Sequence, residues 1–161
     1  MLFRSEVAQM LGKSEAACRQ ILHRAKERVR QERPRFQVNP EAHRQLLERF
    51  ITASKSGKRE ELMALFAKDM RFTSDGGGKV PAVLRVLEGA ERVVRFYTQI
   101  SRLAAARSLT YRHAEINGQL GLLQFLDGKL VGAVTLVTDG VRILEIYTVR
   151  NPDKLKHIHI H

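Results

Sequence analysis

Apolar residues recur at helical spacing near the start of the chain and at alternate positions near its end. The pattern predicts helices first and a β-sheet last. Over residues 14–30, Cys18, Ile21, Leu22, Ala25 and Val29 fall on one helical face, and Arg19, Gln20, His23, Arg24, Lys26 and Arg30 on the remainder. Ser14 stands where its hydroxyl can accept from the free amides of the first turn. A shorter helix is predicted ahead of it over residues 6–11, capped by Ser5, with Val7 and Leu11 one turn apart and Gly12 closing it. Set against a helix-turn-helix, Ala8 takes the small position where the helices touch, and Val7, Leu11, Cys18 and Ile21 the buried ones. Lys13 departs from that pattern, since an apolar residue is usual there.

Residues 31–40 contain two prolines and a run of charge without an apolar period, which reads as a linker. Asn39 and Pro40 then open a helix to about residue 54, with Leu46, Leu47, Phe50 and Ile51 inward. Ser56-Gly57 breaks it, and a helix over 60–67 and a strand over 70–74 follow. Asp75, Gly76, Gly77, Gly78 and Lys79 form a loop whose three glycines are costly to order. It is either a loose hairpin tip or a segment whose ordering is rewarded by a contact. A second strand is expected over 80–87, then a long helix over 89–106 burying Val93, Val94, Phe96, Tyr97 and Ile100. Asn117-Gly118, Asp127-Gly128 and Asp139-Gly140 are hairpin dipeptides. They separate strands at 109–116, 120–126, 129–138 and 141–149, an antiparallel meander. The fold class is α+β: a helix-turn-helix remnant over 1–33, a linker over 34–39, a cone of helices wrapped by a curved sheet over 40–156, and a tail over 157–161.

Charge changes this picture. The 161 residues carry a formal charge of +11, which suits an anionic partner such as nucleic acid. Residues 1–35 hold nine Lys/Arg against four Asp/Glu, so charge density peaks around the first helices. The single cysteine, Cys18, permits no intrachain disulfide, which fits a cytoplasmic protein. No apolar run is long enough for a membrane helix, and residues 1–12 are too polar for the apolar core of a signal peptide.

The residues at 14–29 (SEAACRQILHRAKERV), 75–79 (DGGGK) and 151–155 (NPDKL) carry a resemblance. Residues 4–30 look like the end of the fourth conserved region of a bacterial extracytoplasmic-function sigma factor, which reads the −35 promoter element. Residues 39–156 look like the SnoaL-like cone domain (nuclear-transport-factor-2-like) fused to the SigJ-like subgroup of these factors. The resemblance implies a transcription regulator whose partners are promoter DNA and the RNA polymerase core, with no cofactor and no membrane. It assigns DNA contact to Arg19, Gln20, His23 and Arg24, and a regulatory contact to the DGGGK loop together with Asn151, Pro152, Asp153, Lys154 and Leu155. The region that binds the polymerase clamp is not among these residues, so initiation by them alone is not expected.

Arg19 and Arg24 can each donate a bidentate pair to guanine, while Lys26, Arg28 and Arg30 suit phosphates. The same cations also suit a solvated helix face. A different class is a cone-domain enzyme or ligand binder of the ketosteroid isomerase or SnoaL type. Its candidates are Asp75, Tyr97, Tyr111, His113 and Glu115. Tyr111, His113 and Glu115 alternate on one strand face, as a proton relay or, the reading preferred here, a solvent-facing polar row. Asp75 beside three glycines is poorly held for a catalytic base. DGGGK lacks the spacer and following Ser/Thr of a phosphate-binding loop, with Val80 in that place. His157, His159 and His161 alternate as metal ligands could, although a solvated terminus is the simpler reading, so no metal site is expected. Self-association through the cone domain or the exposed helix is a further expectation.

Overall fold

A computed structural model describes residues 14, 16–18, 20, 38–105 and 107–158. The chain divides into two compact units, Met1–Arg35 and Phe36–His161. In the first, the Ser14 hydroxyl accepts from the Ala17 amide at 3.2 Å and the Ser14 carbonyl from the Cys18 amide at 3.0 Å, the cap that the sequence predicts. Gln20 is helical and exposed. The first helix, its glycine turn, Arg19, His23, Arg24, Lys26 and Arg28 lie outside the described residues, as do His159 and His161.

The second unit begins with α1 (Pro40–Ser56). Asn39 caps it by accepting from the Glu41 amide at 2.9 Å, Pro40 occupies the first turn, and left-handed Gly57 ends it. Its inward face is Leu46, Leu47, Phe50 and Ala53. α2 (Arg59–Leu65) follows and runs directly into β1 (Phe66–Asp75). The helix predicted to reach residue 67 therefore stops at Leu65, because Phe66 already has extended backbone and joins the sheet. The strand predicted over 80–87 is also corrected: only β2 (Leu87–Glu88) pairs, at the sheet edge. Pro81 has no amide to donate to a ladder, and the residues beside it turn toward a cavity instead.

α3 (Ala90–Ala104) crosses the sheet, and the meander follows as β3 (Leu109–Ile116), β4 (Gln119–Leu126), β5 (Lys129–Thr138) and β6 (Ile143–Val149). The six-stranded order is β2-β1-β6-β5-β4-β3, all antiparallel except β1 with β6. Irregularities in register at Gln124/Phe125 and Val137/Thr138 bend the sheet around the helices. The short α4 (Pro152–Leu155) lies beyond β6.

Tyr97 organises the core. Its ring meets Phe50, Phe66, Phe72 and Phe96 at centroid distances of 5.4, 6.2, 5.9 and 5.4 Å. Two of these contacts are edge-on within a few degrees of perpendicular, the arrangement that ring quadrupoles favour. The other sheet face carries a smaller apolar cluster of Leu123, Phe125 and Ala133, covered by Leu155 of α4. Among the described residues no helix is long and apolar enough to cross a membrane.

Candidate functional site

Two loops that are far apart in sequence close on each other at one end of the sheet. Asp75 is the last residue of β1, and its carbonyl accepts from the amides of both Arg150 (2.7 Å) and Asn151 (3.0 Å). The Asp75 carboxylate turns both ways. Oδ1 accepts from the Gly77 amide at 2.8 Å and so shapes its own loop, while Oδ2 lies 2.7 Å from Lys154 Nζ. Lys79 at the other end of that loop pairs with Asp153, which Lys156 also reaches at 3.1 Å. Each loop thus supplies an acid and a base to the other, a cross-paired clasp.

Local chemistry prepares both halves. Asn151 caps α4 by accepting from the Asp153 amide at 3.0 Å, Pro152 fills the first position, and buried Leu155 anchors the turn on the outer apolar cluster. Gly77 has φ +60°, and a Cβ there would lie 2.2 Å from Asn151 Nδ2, so only glycine lets the loops approach this closely. At Gly76 a Cβ would meet the Val80 carbonyl at 2.4 Å. Lys154, then the Gly77 amide, holds the Asp75 carboxyl below its ordinary value. Lys79, then Lys156, does the same to Asp153.

A cavity of about 450 Å³ adjoins the clasp, between α3 and the inner sheet face. Phe72, Phe96, Leu126 and Val131 supply apolar wall, and Pro81, Ala82 and Val83 come from the loop after the glycines. Inside it the Tyr111 hydroxyl meets Ser54 Oγ at 3.2 Å and the Gln124 amide at 3.4 Å. Burial pushes the phenols of Tyr97 and Tyr111 up, Tyr97 the more, so both stay neutral. Thr148 Oγ1 is buried in the same wall without a well-formed hydrogen bond. Arg150 joins the two features: it lines the cavity, its Nη1 donates to the Pro81 carbonyl at 2.6 Å, and its backbone belongs to the clasp.

The candidate acid/base residues are dispersed. Tyr97 and Tyr111 line the cavity, whereas Asp75 is engaged in the clasp. His113 stands 3.2 Å from Glu48 at the sheet edge, and Glu115 is exposed. The preferred solvent-facing row is therefore corrected at Tyr111, which points inward because it lies above Ser54 of α1 and beside Gln124 of β4. Among the described residues no carboxylate or imidazole lines the cavity. Among the described residues no group of three or more metal-ligating side chains occurs. Arg150, Ser54, Gln124 and Thr148 were not singled out from sequence. Arg150 alone had a signal, its place directly before Asn151.

Helices wrapped by a six-stranded curved sheet, with a cavity between them, define a SnoaL-like cone of the α+β class. A SnoaL-like protein of unknown function from Burkholderia thailandensis shares that fold, with a TM-score of 0.51 and 12% identity over 69% of this chain and 95% of the other. The chain is 32% identical, over 93% of its length and 51% of the relative's, to the ECF RNA polymerase sigma factor SigJ of Mycobacterium tuberculosis. The crystal structure of that organism's extracytoplasmic-function sigma factor SigJ matches with a TM-score of 0.59 and 30% identity over 96% of this chain and 55% of the other. No protein-family model matches. The chain is a homologue of extracytoplasmic-function sigma factors, similar to their C-terminal SnoaL-like part, and spans about half the length of the curated relatives it matches.

Proposed function

We propose that the chain is the regulatory C-terminal part of a bacterial sigma factor acting with the RNA polymerase core at promoter DNA in the cytoplasm. The clasp carries this reading. Two loops separated by 74 residues are tied over a glycine-rich backbone by the half-exposed Lys79–Asp153 pair and by Lys154 on the Asp75 carboxylate, whose Oδ2 is itself buried. Such a contact costs little to open and re-form, which suits a surface that other sigma domains engage. DGGGK and NPDKL thereby act as one regulatory contact and not as two independent loops. A binding role also suits the cavity better than catalysis, since a base of the ketosteroid isomerase kind would have to line it.

Charge reversal in a full-length factor containing this chain tests the proposal. Lys79→Glu and Asp153→Lys singly change promoter output in a reconstituted transcription reaction, and the double variant restores it. Wild-type output from both single variants, with the fold intact by circular dichroism, would falsify the reading.

The N-terminal helix supports a second, separable role in the same protein. Arg19, Gln20, His23 and Arg24 read base edges, and Lys26 and Arg28 hold phosphates. Arg19→Ala and Arg24→Ala each weaken binding to the cognate promoter in a gel-shift assay by about 1–3 kcal/mol. Lys26→Ala and Arg28→Ala lower affinity for every sequence alike and flatten its salt dependence. Sequence-independent binding that the first two substitutions leave unchanged defeats specific reading.

A further inference from the structure

The cavity takes no part in the clasp's ion pairs, yet it shares Arg150 with it. Among the described residues its lining contains two guanidinium groups, Arg107 and Arg150, and no carboxylate. Arg107 is satisfied by Asp127, with Nη2 at 2.7 Å and Nε at 2.9 Å from the same oxygen. The Arg150 guanidinium has no carboxylate partner among the described residues and donates there only to the neutral Pro81 carbonyl. Elsewhere in the lining the polar groups are neutral hydroxyls and one amide, and the remaining surface is mainly apolar. A concave, mostly apolar space of this size with a few convergent polar groups is what small-molecule sites look like. The unpaired guanidinium fixes the sign of the occupant, because its planar fork matches a carboxylate.

The geometry points to a binding site for a small carboxylic acid with an apolar ring or chain, its carboxylate on Arg150 and its body between Phe72, Phe96, Leu126 and Val131. Occupancy is transmitted to the clasp. A carboxylate offers the guanidinium a full opposite charge and two parallel acceptors, where the Pro81 carbonyl offers one neutral oxygen, so the bound acid draws the Arg150 guanidinium away from Pro81. Pro81 to Val83 are both cavity wall and the continuation of the glycine loop. Releasing them loosens the loop that carries Gly77 and Lys79 toward Asn151 and Asp153. The effect of this loosening on transcription rests on the regulatory reading of the clasp; the binding site does not.

2-Naphthoic acid and 2-naphthalenemethanol are suitable probes, sharing a bicyclic body and differing in the charged head. Calorimetric titration of the chain should show saturable binding of the acid and about tenfold or more weaker binding of the alcohol. Arg150→Ala should bring the acid down to the level of the alcohol. Arg150→Gln should do the same while keeping a donor for the Pro81 carbonyl, which guards against a folding defect. In amide NMR spectra the acid should move Gly77 and Gly78 in the wild-type chain and leave them still in Arg150→Gln. No saturable binding, equal binding of both probes, or undiminished acid binding by Arg150→Gln overturns the site. Binding of the acid with unmoved clasp amides overturns the transmission. If acid binding moves those amides yet promoter output stays constant, the regulatory reading of the clasp fails and the ligand site stands.

Discussion

The aromatic core and the clasp solve the same problem, joining segments distant in sequence, by opposite physical means. Around Tyr97 the chain removes ring surface from water, and Phe50, Phe66 and Phe72 are at most 2% exposed. At the clasp it brings charged groups together where water still reaches them: the side chains of Lys79 and Asp153 are about half exposed. The first kind of contact is strong, grows with the apolar area buried and is not screened by dissolved ions. The second is weak, directional and screened. One end of the cone is therefore built to persist and the other to exchange, although the same strand, β1, contributes Phe72 to the core and Asp75 to the clasp.

The sharpest way to break this comparison is to weaken the persistent end. Phe72→Ala removes a ring packed 4.7 Å from Phe96 and should destabilise the cone by about 3–5 kcal/mol in urea unfolding. A loss much below about 1 kcal/mol would mean that the core is looser than its burial indicates.

A pair of glycine substitutions separates backbone strain from contact at the exchanging end. Gly78 has φ +68° with open space around its missing Cβ, whereas Gly77 has φ +60° and Asn151 in the way. Gly78→Ala should lower stability by about 1 kcal/mol, the left-handed penalty alone. Gly77→Ala should cost more and also displace the Asn151 side-chain amide resonances. Equal effects would show that the loops do not approach this closely in solution.

The smallest effect concerns pH. Asp75 and Asp153 are both held below their ordinary carboxylate value when folded. Their pairs therefore contribute fully above the unfolded value and are lost as pH falls through the folded ones. Carbon-detected titration of the two carboxyl groups should show both midpoints depressed, and 1 M salt should return them toward normal. The core resonances should stay unmoved over the same range. Simultaneous loss of core and clasp would erase the distinction between them.

Much of the fold was legible because local rules dominate it. Asn117-Gly118 and Asp127-Gly128 adopt the paired left-handed conformations that two-residue hairpin turns demand. Asp139-Gly140 works differently: Asp139 accepts from the amides of Val141 and Arg142, shortening the following strand to begin at Ile143. The misjudged segment, 80–87, has the β-branched composition of a strand, but Pro81 and the pull of the cavity override it. Composition does not record such tertiary demands. The clasp was legible only in part. Nothing local to DGGGK or NPDKL says that Asp75 meets Lys154, and only similarity to known proteins placed the two in one contact. Tyr111 looked like one more member of an alternating row, since the period tells which residues share a face and not which face is covered.

The parallel seam between β1 and β6 also has a kinetic meaning. Phe72 of β1 lies opposite Ile146 of β6, so every other strand of the meander is made in between. Non-local pairings of this kind are slow to form, because the intervening chain must first be gathered in. During synthesis β1 waits with one side open until β6 emerges. The two halves of the clasp begin where these strands end, at Asp75, the last residue of β1, and at Asn151, just beyond β6. They meet only when the seam has closed, and so a formed clasp marks a finished cone.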